Sequence, residues 1–383
     1  MRNDDLQRDS KHQDNKKIIF MSFNKDLPFN SLPDLPPAAD LETTEIFRLA
    51  IRANKLLAEL KGYCHTLPNP HLLLNTIVLQ ESKESNAIEN IVTTQDELYK
   101  ATLNLTNKIK NTAAKEILQY REAMFWGMEQ MKKNGLITTN LLVGIMQKLR
   151  DTNENIRKNI GTKLVNPTTQ AIVYSPPEGE TIIREKLSKL EIFINDDSYA
   201  NFHPLIKMAL IHYQFEAIHP FSDGNGRTGR ILNVLYLINK DLLGLPVLYL
   251  SKYIIQNKSD YYRLLKEITE YGNWAAWVKF VLEGVGQTAE ITLNKINAIL
   301  VLKAETEPII KKVLKSSYTK ELLDILYSNP YIKIKVLEDN GIAKRLTASS
   351  YLKNLADANV LSPVRIWKET YYINEPLLKI LSM

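Results

Sequence analysis

The chain has 383 residues, 44% of them hydrophobic and 24% charged, with 49 Lys and Arg against 43 Asp and Glu. That is the balance of a globular protein long enough for more than one core, and a net charge of +6 demands neither nucleic acid nor an anionic surface. No apolar run approaches the roughly 20 residues that span a bilayer, and the single cysteine, Cys64, excludes an intrachain disulfide framework and fits a reducing cytoplasm.

From the N-terminus, residues 1–26 are expected as a disordered tail, because the first 19 are charged and polar and lack the apolar stretch of a signal peptide. Residues 27–40 carry Pro28, Pro33, Pro36 and Pro37, which predicts an extended arm rather than a helix. Ile46, Leu49, Ala50, Ala53, Leu56, Leu57 and Leu60 then recur at helical spacing, with Gly62 near the C-cap. Pro68 and Pro70 break the chain before a second helix at about 71–90. Near its end Ser85 and Glu89 lie four apart on one helical face, followed by Asn90. Taken alone, this is a polar stripe on a surface helix. Thr94 to Glu97 form a capping box that opens a third helix.

Residues 110–155 read as two helices split near Asn134 and Gly135. The β-prone runs Ile160–Val165 and Ala171–Tyr174 predict a hairpin over 160–175, ended by Pro176 and Pro177. Residues 203–218 read as a largely buried helix. It leads into His219-Pro-Phe-Ser-Asp-Gly-Asn-Gly-Arg-Thr-Gly-Arg230 and then the apolar run Ile231–Ile238, a loop feeding a helix N-terminus. Gly224 and Gly226 flank Asn225, so the backbone can take positive φ and a ligand can come close. Successive N–H groups in such a turn form an anion nest, and the free N–H groups and dipole of the helix add to it. Arg227 and Arg230 share a face and suit phosphate oxygens. Asp223 would repel a bare phosphate, so its place beside the nest points to a bridging cation, for which Mg²⁺ fits. His219 can take a proton near neutral pH. The stretch is neither a Walker A loop nor a Rossmann fingerprint.

HPFSDGNGRTGR resembles the signature of the Fic family, HPFx(D/E)GNGRxxR, at every fixed position. The resemblance implies transfer of AMP from ATP to a hydroxyl side chain of a target protein. It implies His219 as the general base, Asp223 as the Mg²⁺ ligand, and Phe221 as the buried anchor of the loop. Gly224, Asn225 and Gly226 would cradle the α- and β-phosphates with help from Arg227, and Arg230 would reach the γ-phosphate. Thr228 and Gly229 belong to the same nucleotide-binding stretch. Ser85-Asn-Ala-Ile-Glu89-Asn90 is similar to the family's inhibitory motif (S/T)xxxE(G/N). That implies a Glu89–Arg230 pair in the γ-phosphate site, with Ser85 orienting the carboxylate. The 160–175 hairpin matches the place of the family's flap, which clamps the target's backbone by strand addition.

Residues 250–265 keep one helical period through Tyr253, Asn257 and Tyr261, and resemble a Fic helix bordering the nucleotide. There Asn257 would bond ribose or adenine and Tyr262 would pack nearby, while Tyr261, Trp274 and Trp277 read as packing residues. A helical connector is expected at 286–314. Helices at 319–327, about 332–339 and 347–358, the last capped by Thr347, precede a β-wing formed by Leu361–Ile366 and Thr370–Ile373. This resembles a winged helix-turn-helix presenting Ser349, Ser350, Lys353 and Asn354. Ten Lys and Arg against seven Asp and Glu in 315–383 make a weak basic excess, so protein contact or dimerisation is favoured over DNA.

The expected fold is mainly α: a Fic-type helical core with a β-hairpin flap. It comprises an N-terminal helical segment (27–110), a catalytic domain (111–285), the connector and a C-terminal winged helix (315–383). The expected function is a cytoplasmic protein adenylyltransferase held in check by Glu89, with Mg²⁺ as cofactor, ATP as substrate and a target protein docked at the hairpin. Other group transfer or AMP removal on the same fold, or a nucleotide-sensing DNA-binding regulator, stay open as alternatives. Self-association fits regulation of the inhibitory helix, although no pattern in the chain encodes it.

Overall fold

The computed structural model describes residues 23–66, 70–103, 112–166, 169–366 and 369–382, so the tail expected at 1–26 lies almost wholly outside the described residues. An irregular arm leads into α1 (Thr44–Thr66), α2 (Pro70–Ile88) and α3 (Gln95–Leu103). α4 (Thr112–Asn134) and α5 (Thr139–Arg150) precede an antiparallel hairpin of β1 (Leu164–Val165) and β2 (Ile172–Tyr174). Then come α6 (Glu180–Asn195), α7 (Pro204–Ile218), α8 (Asn225–Asn239), α9 (Leu250–Gln256), α10 (Lys258–Tyr271) and α11 (Trp274–Leu314). The C-terminal part holds α12 (Lys320–Ser328), β3 (Tyr331–Ile332), α13 (Ile334–Asp339), α14 (Arg345–Asp357), β4 (Ser362–Ile366), β5 (Glu369–Ile373) and α15 (Glu375–Ser382). Its three strands pair in the order β3-β5-β4. The architecture is mainly α, with the small hairpin beside the helical core, as the sequence leads one to expect. Among the described residues no helix is long and apolar enough to cross a membrane.

α7 has almost no polar face, and nearly every side chain from Leu205 to Ile218 is buried, which puts this helix at the centre. α8, buried from Arg227 to Ile238, packs along it, and α4, α5, α6 and α11 enclose the pair. Trp277 of α11 locks the arrangement. Its indole N–H donates to the Ala209 carbonyl at 2.8 Å, and its ring stacks on His212 at 5.8 Å. Burying so large an aromatic contributes on the order of 3 kcal/mol.

The proline-rich arm is non-helical, as its composition requires, but turns and bends break it up instead of leaving it extended, and it is pinned along α6 and α7. Leu32, Leu35 and Leu41 are buried, Gln214 donates to the Pro33 carbonyl at 2.9 Å, and Asp34 pairs with Lys186 and Lys189 at 3.0 and 2.9 Å. Phe29 N–H donates to the Ser175 carbonyl at 3.0 Å, and Phe29, Phe23 and Tyr174 form one aromatic cluster. The arm thus braces the exit of the hairpin.

Several local expectations are corrected. α1 runs past Gly62 to Thr66, because nothing crowds that glycine and the apolar face continues to the buried Cys64. The helix expected over 250–265 breaks at Asn257, whose side chain donates to the Tyr253 carbonyl at 2.9 Å, so α9 and α10 are separate. The connector begins at Trp274, since α11 is one 41-residue helix that passes through 285 without a break. α14 starts at Arg345 after Lys344, so Thr347 lies inside the helix and caps nothing. The paired part of the hairpin is shorter than 160–175, with Ile160 to Lys163 in loop conformation and residues 167–168 outside the described set. The capping box is present: Glu97 N–H donates to Thr94 Oγ1 at 3.1 Å and Thr94 N–H to the Glu97 carboxylate at 3.4 Å. α6 and α15 are additions to the expected set.

α9 lies so close to α11 that a Cβ on Gly284 would sit 2.6 Å from the Tyr253 ring and 3.2 Å from Leu250. Gly284→Ala is therefore expected to push α9 outward and lower stability by about 1–3 kcal/mol. Chemical denaturation checks this, and an unchanged midpoint contradicts it.

Candidate functional site

The loop between α7 and α8 is built by its own residues. α7 ends at His219, which takes the left-handed conformation (φ 49°) and leaves the helix axis. Phe221 drops into the core, 1% exposed, against Phe215. Asn225 closes the turn: its Oδ1 accepts from the Phe221 N–H at 2.9 Å and its Nδ2 donates to the Phe221 carbonyl at 2.8 Å. Gly224 sits at φ 84°, a conformation that favours glycine, and forms the N-cap of α8 without any side-chain cap. The first N–H groups of α8 therefore face the site unpaired by a cap, the arrangement that attracts an anion.

An anionic group already stands there. A Cβ built on Gly226 would lie 2.4 Å from Glu89 Oε1, so the carboxylate rests directly on that glycine. Glu89 Oε1 also accepts from Arg230 Nη2 at 2.8 Å. Arg230 is 2% exposed, and two further bonds go to Ser85, with Nε to Oγ at 2.8 Å and Nη2 to the carbonyl at 3.0 Å. Desolvation disfavours the Arg230 cation, and Glu89 together with Tyr261, Tyr120 and Glu216 more than offsets that, leaving the guanidinium above its ordinary pKa. The pair foreseen from the motif forms. Ser85 acts differently from expectation: it holds the arginine and makes no hydrogen bond to the carboxylate among those described. Asn90 has φ 62°, which explains why Asn or Gly suits that place after α2. Its side chain accepts from Lys258 at 3.3 Å, joining the turn to α10.

Arg227 is 2% exposed and is held by protein acceptors, donating to Glu116 of α4 at 2.7 Å and to Asn86 of α2 at 3.2 Å. Asp223 is the exposed group at the rim, 2.9 Å from Arg150 and 3.5 Å from Arg227. Asn225 spends its side chain on the loop, so any cradle it joins uses its backbone. Gly229 is a packing glycine, since a Cβ there would meet Glu216 at 2.6 Å and Phe215 at 3.1 Å. Thr228 is fully buried with its hydroxyl unpartnered. Asn257 is half-buried at the α9–α10 break. Tyr262 is half exposed, edge-on to Tyr261 at 5.2 Å, and desolvation and then Glu89 raise its pKa to about 12, which places its hydroxyl within electrostatic reach of Glu89.

His219 stands at the other side of the turn with its Nδ1 buried and unpartnered. Desolvation, then Arg157, push its pKa down to about 4, so the imidazole is neutral at physiological pH. Arg157, Glu216, Glu81 and Glu116 carry no sequence pattern that marks them, because each meets the site only through the fold. Glu216 is pushed up to about 7 by burial, partly offset by Arg230, with Oε1 unpartnered. Among the described residues no group of three or more His, Cys, Asp or Glu forms a metal cage. The donor set nevertheless fits Mg²⁺, which is held by one or two carboxylates together with water and phosphate oxygens. Asp223, 56% exposed beside the anion site, is a carboxylate of that kind.

The chain matches the model of the Fic/DOC family over residues 137–237 and that of the Fic/DOC family N-terminal segment over 47–129. A third model, protein adenylyltransferase SoFic-like, C-terminal domain, matches residues 287–377. The protein adenylyltransferase Fic of Drosophila willistoni is 32% identical over 136 residues, covering 34% of this chain and 26% of that protein. Its counterpart in Drosophila virilis is 32% identical over 117 residues, covering 30% and 23%. The chain thus spans about a quarter of the length of the curated relatives it matches. A Fic family protein from Desulfovibrio desulfuricans G20 has a similar fold, with a TM-score of 0.58 at 18% identity over 88% of this chain and 98% of that one. So does a segment of Fic-1 from C. elegans, with a TM-score of 0.51 at 18% identity over 65% and 72%.

The shifted groups make opposite linkage predictions. His219 is a base whose folded pKa is depressed, so the unfolded chain protonates first and stability is lost as pH falls from about 6.5 toward about 4. Glu216 is an acid whose folded pKa is raised, so stability is lost as pH rises from about 4.5 toward about 7. Relative to His219→Gln, the parent should weaken on acidification; relative to Glu216→Gln, it should weaken on going to neutral pH. Denaturation midpoints across that range check both, and parallel curves for parent and variants contradict them.

Proposed function

We infer that this chain, a member of the Fic/DOC family, is a protein adenylyltransferase that moves AMP from ATP to a hydroxyl side chain of a target protein, and that Glu89 holds it in check. One observation carries the reading. A carboxylate lies on Gly226 at the N-terminus of α8 and on Arg230, where a phosphate would find the same N–H groups and the same guanidinium. The curated relatives named protein adenylyltransferase support the reaction class.

When Glu89 swings out, Arg230 keeps both Ser85 acceptors and presents Nη2 to the outermost phosphate. Backbone N–H groups at 225–227 then meet the inner phosphates. The Nδ1 of His219 is enclosed, so the imidazole meets the substrate through Nε2. The target hydroxyl gives its proton to Nε2 as its oxygen attacks the α-phosphorus, and pyrophosphate leaves with the broken bond's electron pair. A pKa near 4 is low for a base, but the triphosphate brings negative charge beside the imidazole and raises it toward the working pH. Asp223 would hold Mg²⁺, which supplies charge neutralisation for the phosphates. Placement and electrostatic stabilisation carry the rate.

The target docks along the β1–β2 hairpin by adding backbone to its edge. Ile160 and Val165 there are 79% and 46% exposed, so an extended segment finds apolar as well as backbone contacts. The C-terminal helices and ribbon are read as a winged helix used for protein contact, because Leu346 on its third helix is 87% exposed.

Replacing Glu89 with Gly should raise self-modification from ATP labelled at the α-phosphate by about tenfold or more, the factor that corresponds to roughly 1.4 kcal/mol. Adding His219→Ala to that variant should lower it by about 10²–10⁴. Equal labelling of parent and Glu89→Gly contradicts the inhibition, and labelling that survives the loss of His219 contradicts the base.

A further inference from the structure

Arg157 stands apart from the other buried cations. It is 3% exposed in the loop after α5, and none of its described hydrogen bonds goes to a carboxylate. Nε donates to the His219 carbonyl at 2.8 Å, and its backbone N–H donates to the Pro220 carbonyl at 2.9 Å. Nη1 donates to Thr162 Oγ1 at 3.4 Å, just before β1, and Nη2 donates to the Pro177 carbonyl, just after β2. One guanidinium therefore holds both legs of the hairpin and the backbone of the base. A second link runs parallel to it, from the Tyr174 hydroxyl in β2 to the Ala217 carbonyl at 2.9 Å. Burying a cation on neutral acceptors is costly, and an apolar side chain would fill the space without that cost. The planar fork of arginine supplies what an apolar side chain does not: donors fixed at set angles toward three backbone segments.

We propose that Arg157 is a positioning residue for the reaction, setting the distance between a target chain docked on the hairpin and the imidazole of His219. The inference rests on the base and docking roles given above. A strand added to the hairpin enters with the hairpin's own coordinates, and Arg157 transfers those coordinates to His219. An acceptor hydroxyl misplaced by about 1 Å loses on the order of 10²-fold in rate. The cation also faces the imidazole electrostatically, together with Glu89 from the turn after α2 and Asp223 from the loop, while the backbone of Glu216 in α7 lies beside the ring. It thereby keeps the free base unprotonated, in the same sense as desolvation does.

Two variants separate the roles, both made in the Glu89→Gly background. Arg157→Lys keeps the charge and loses the fork; Arg157→Gln loses the charge. Self-labelling should fall by about tenfold or more in both, while ATP affinity measured by calorimetry stays within about threefold. The acid limb of the pH–rate profile should move to higher pH in Arg157→Gln and stay in place in Arg157→Lys. Undiminished labelling, or a loss of ATP affinity equal to the loss of rate, overturns the proposal. If the Glu89→Gly parent itself does not label, the adenylyltransferase reading fails, and the titration of the His219 ring followed by NMR decides this one separately. An upward shift of that titration in Arg157→Gln alone upholds the link, and superimposed curves in all three proteins refute it.

Discussion

A guanidinium buried to 2% exposure must be surrounded by acceptors, and the placing of those acceptors around Arg230 organises the rest of the site. Ser85 gives it two, and those are permanent because they belong to a helix. Glu89 gives it a third from a turn just beyond that helix, with its carboxylate 35% exposed. The arrangement is asymmetric. Arg230 keeps its two bonds to Ser85 without Glu89 but loses its carboxylate partner, while Glu89 can reach water. A charged ligand that displaces this carboxylate must itself supply the negative charge that the buried guanidinium loses. That is the energetic condition for inhibition that is firm at rest and reversible on demand.

Keeping Ser85 and Glu89 in place requires α2 to be held in register, and three elements do this. One turn before Ser85, the Glu81 carboxylate is buried at 1% exposure and accepts from Ser251 N–H at 3.0 Å, from the Ser251 hydroxyl and from Tyr120 at 3.3 Å. Those contacts join α2 to α9 and α4. Desolvation lifts Glu81 to about 7 despite its donors, so this fastening has charge that depends on its surroundings. Farther up, Thr76 donates to the Ser328 carbonyl of α12 at 3.1 Å, and Tyr99 of α3 stacks on Tyr331 at 5.8 Å. The C-terminal unit and the α9–α10 wall of the site therefore both bear on the inhibitory helix.

The loop from His219 to Arg230 was legible because its chemistry is local. Glycines at a turn, a helix start and the spacing of arginines are properties of neighbours in sequence. The Glu89–Arg230 contact was legible only through likeness to a known motif, since no spacing rule joins residues 141 apart. The sequence does not distinguish partners where the fold chooses between equivalent ones. Arg227 and Arg230 share one face, yet only the second faces the carboxylate, because Glu116 and Asn86 capture the first. Ser85 meets Arg230 and not Glu89, because its hydroxyl oxygen accepts from the guanidinium. Asn257 ended a helix that apolar periodicity continued through, a local side-chain bond overriding pattern. Arg157 is invisible in the sequence, because its partners are a hydroxyl and backbone carbonyls brought together from both ends of the hairpin and from the end of α7.

The central claim is that the Glu89 carboxylate occupies the seat of a phosphate. A crystal structure of the Glu89→Gly protein with ATP and magnesium tests it most directly. The account predicts the terminal phosphate in hydrogen-bond contact with Arg230 Nη2, over Gly226, with Arg230 still on Ser85 and the α-phosphorus facing Nε2 of His219. A triphosphate bound elsewhere, with the space over Gly226 left to solvent or refilled by neighbouring side chains, would contradict it.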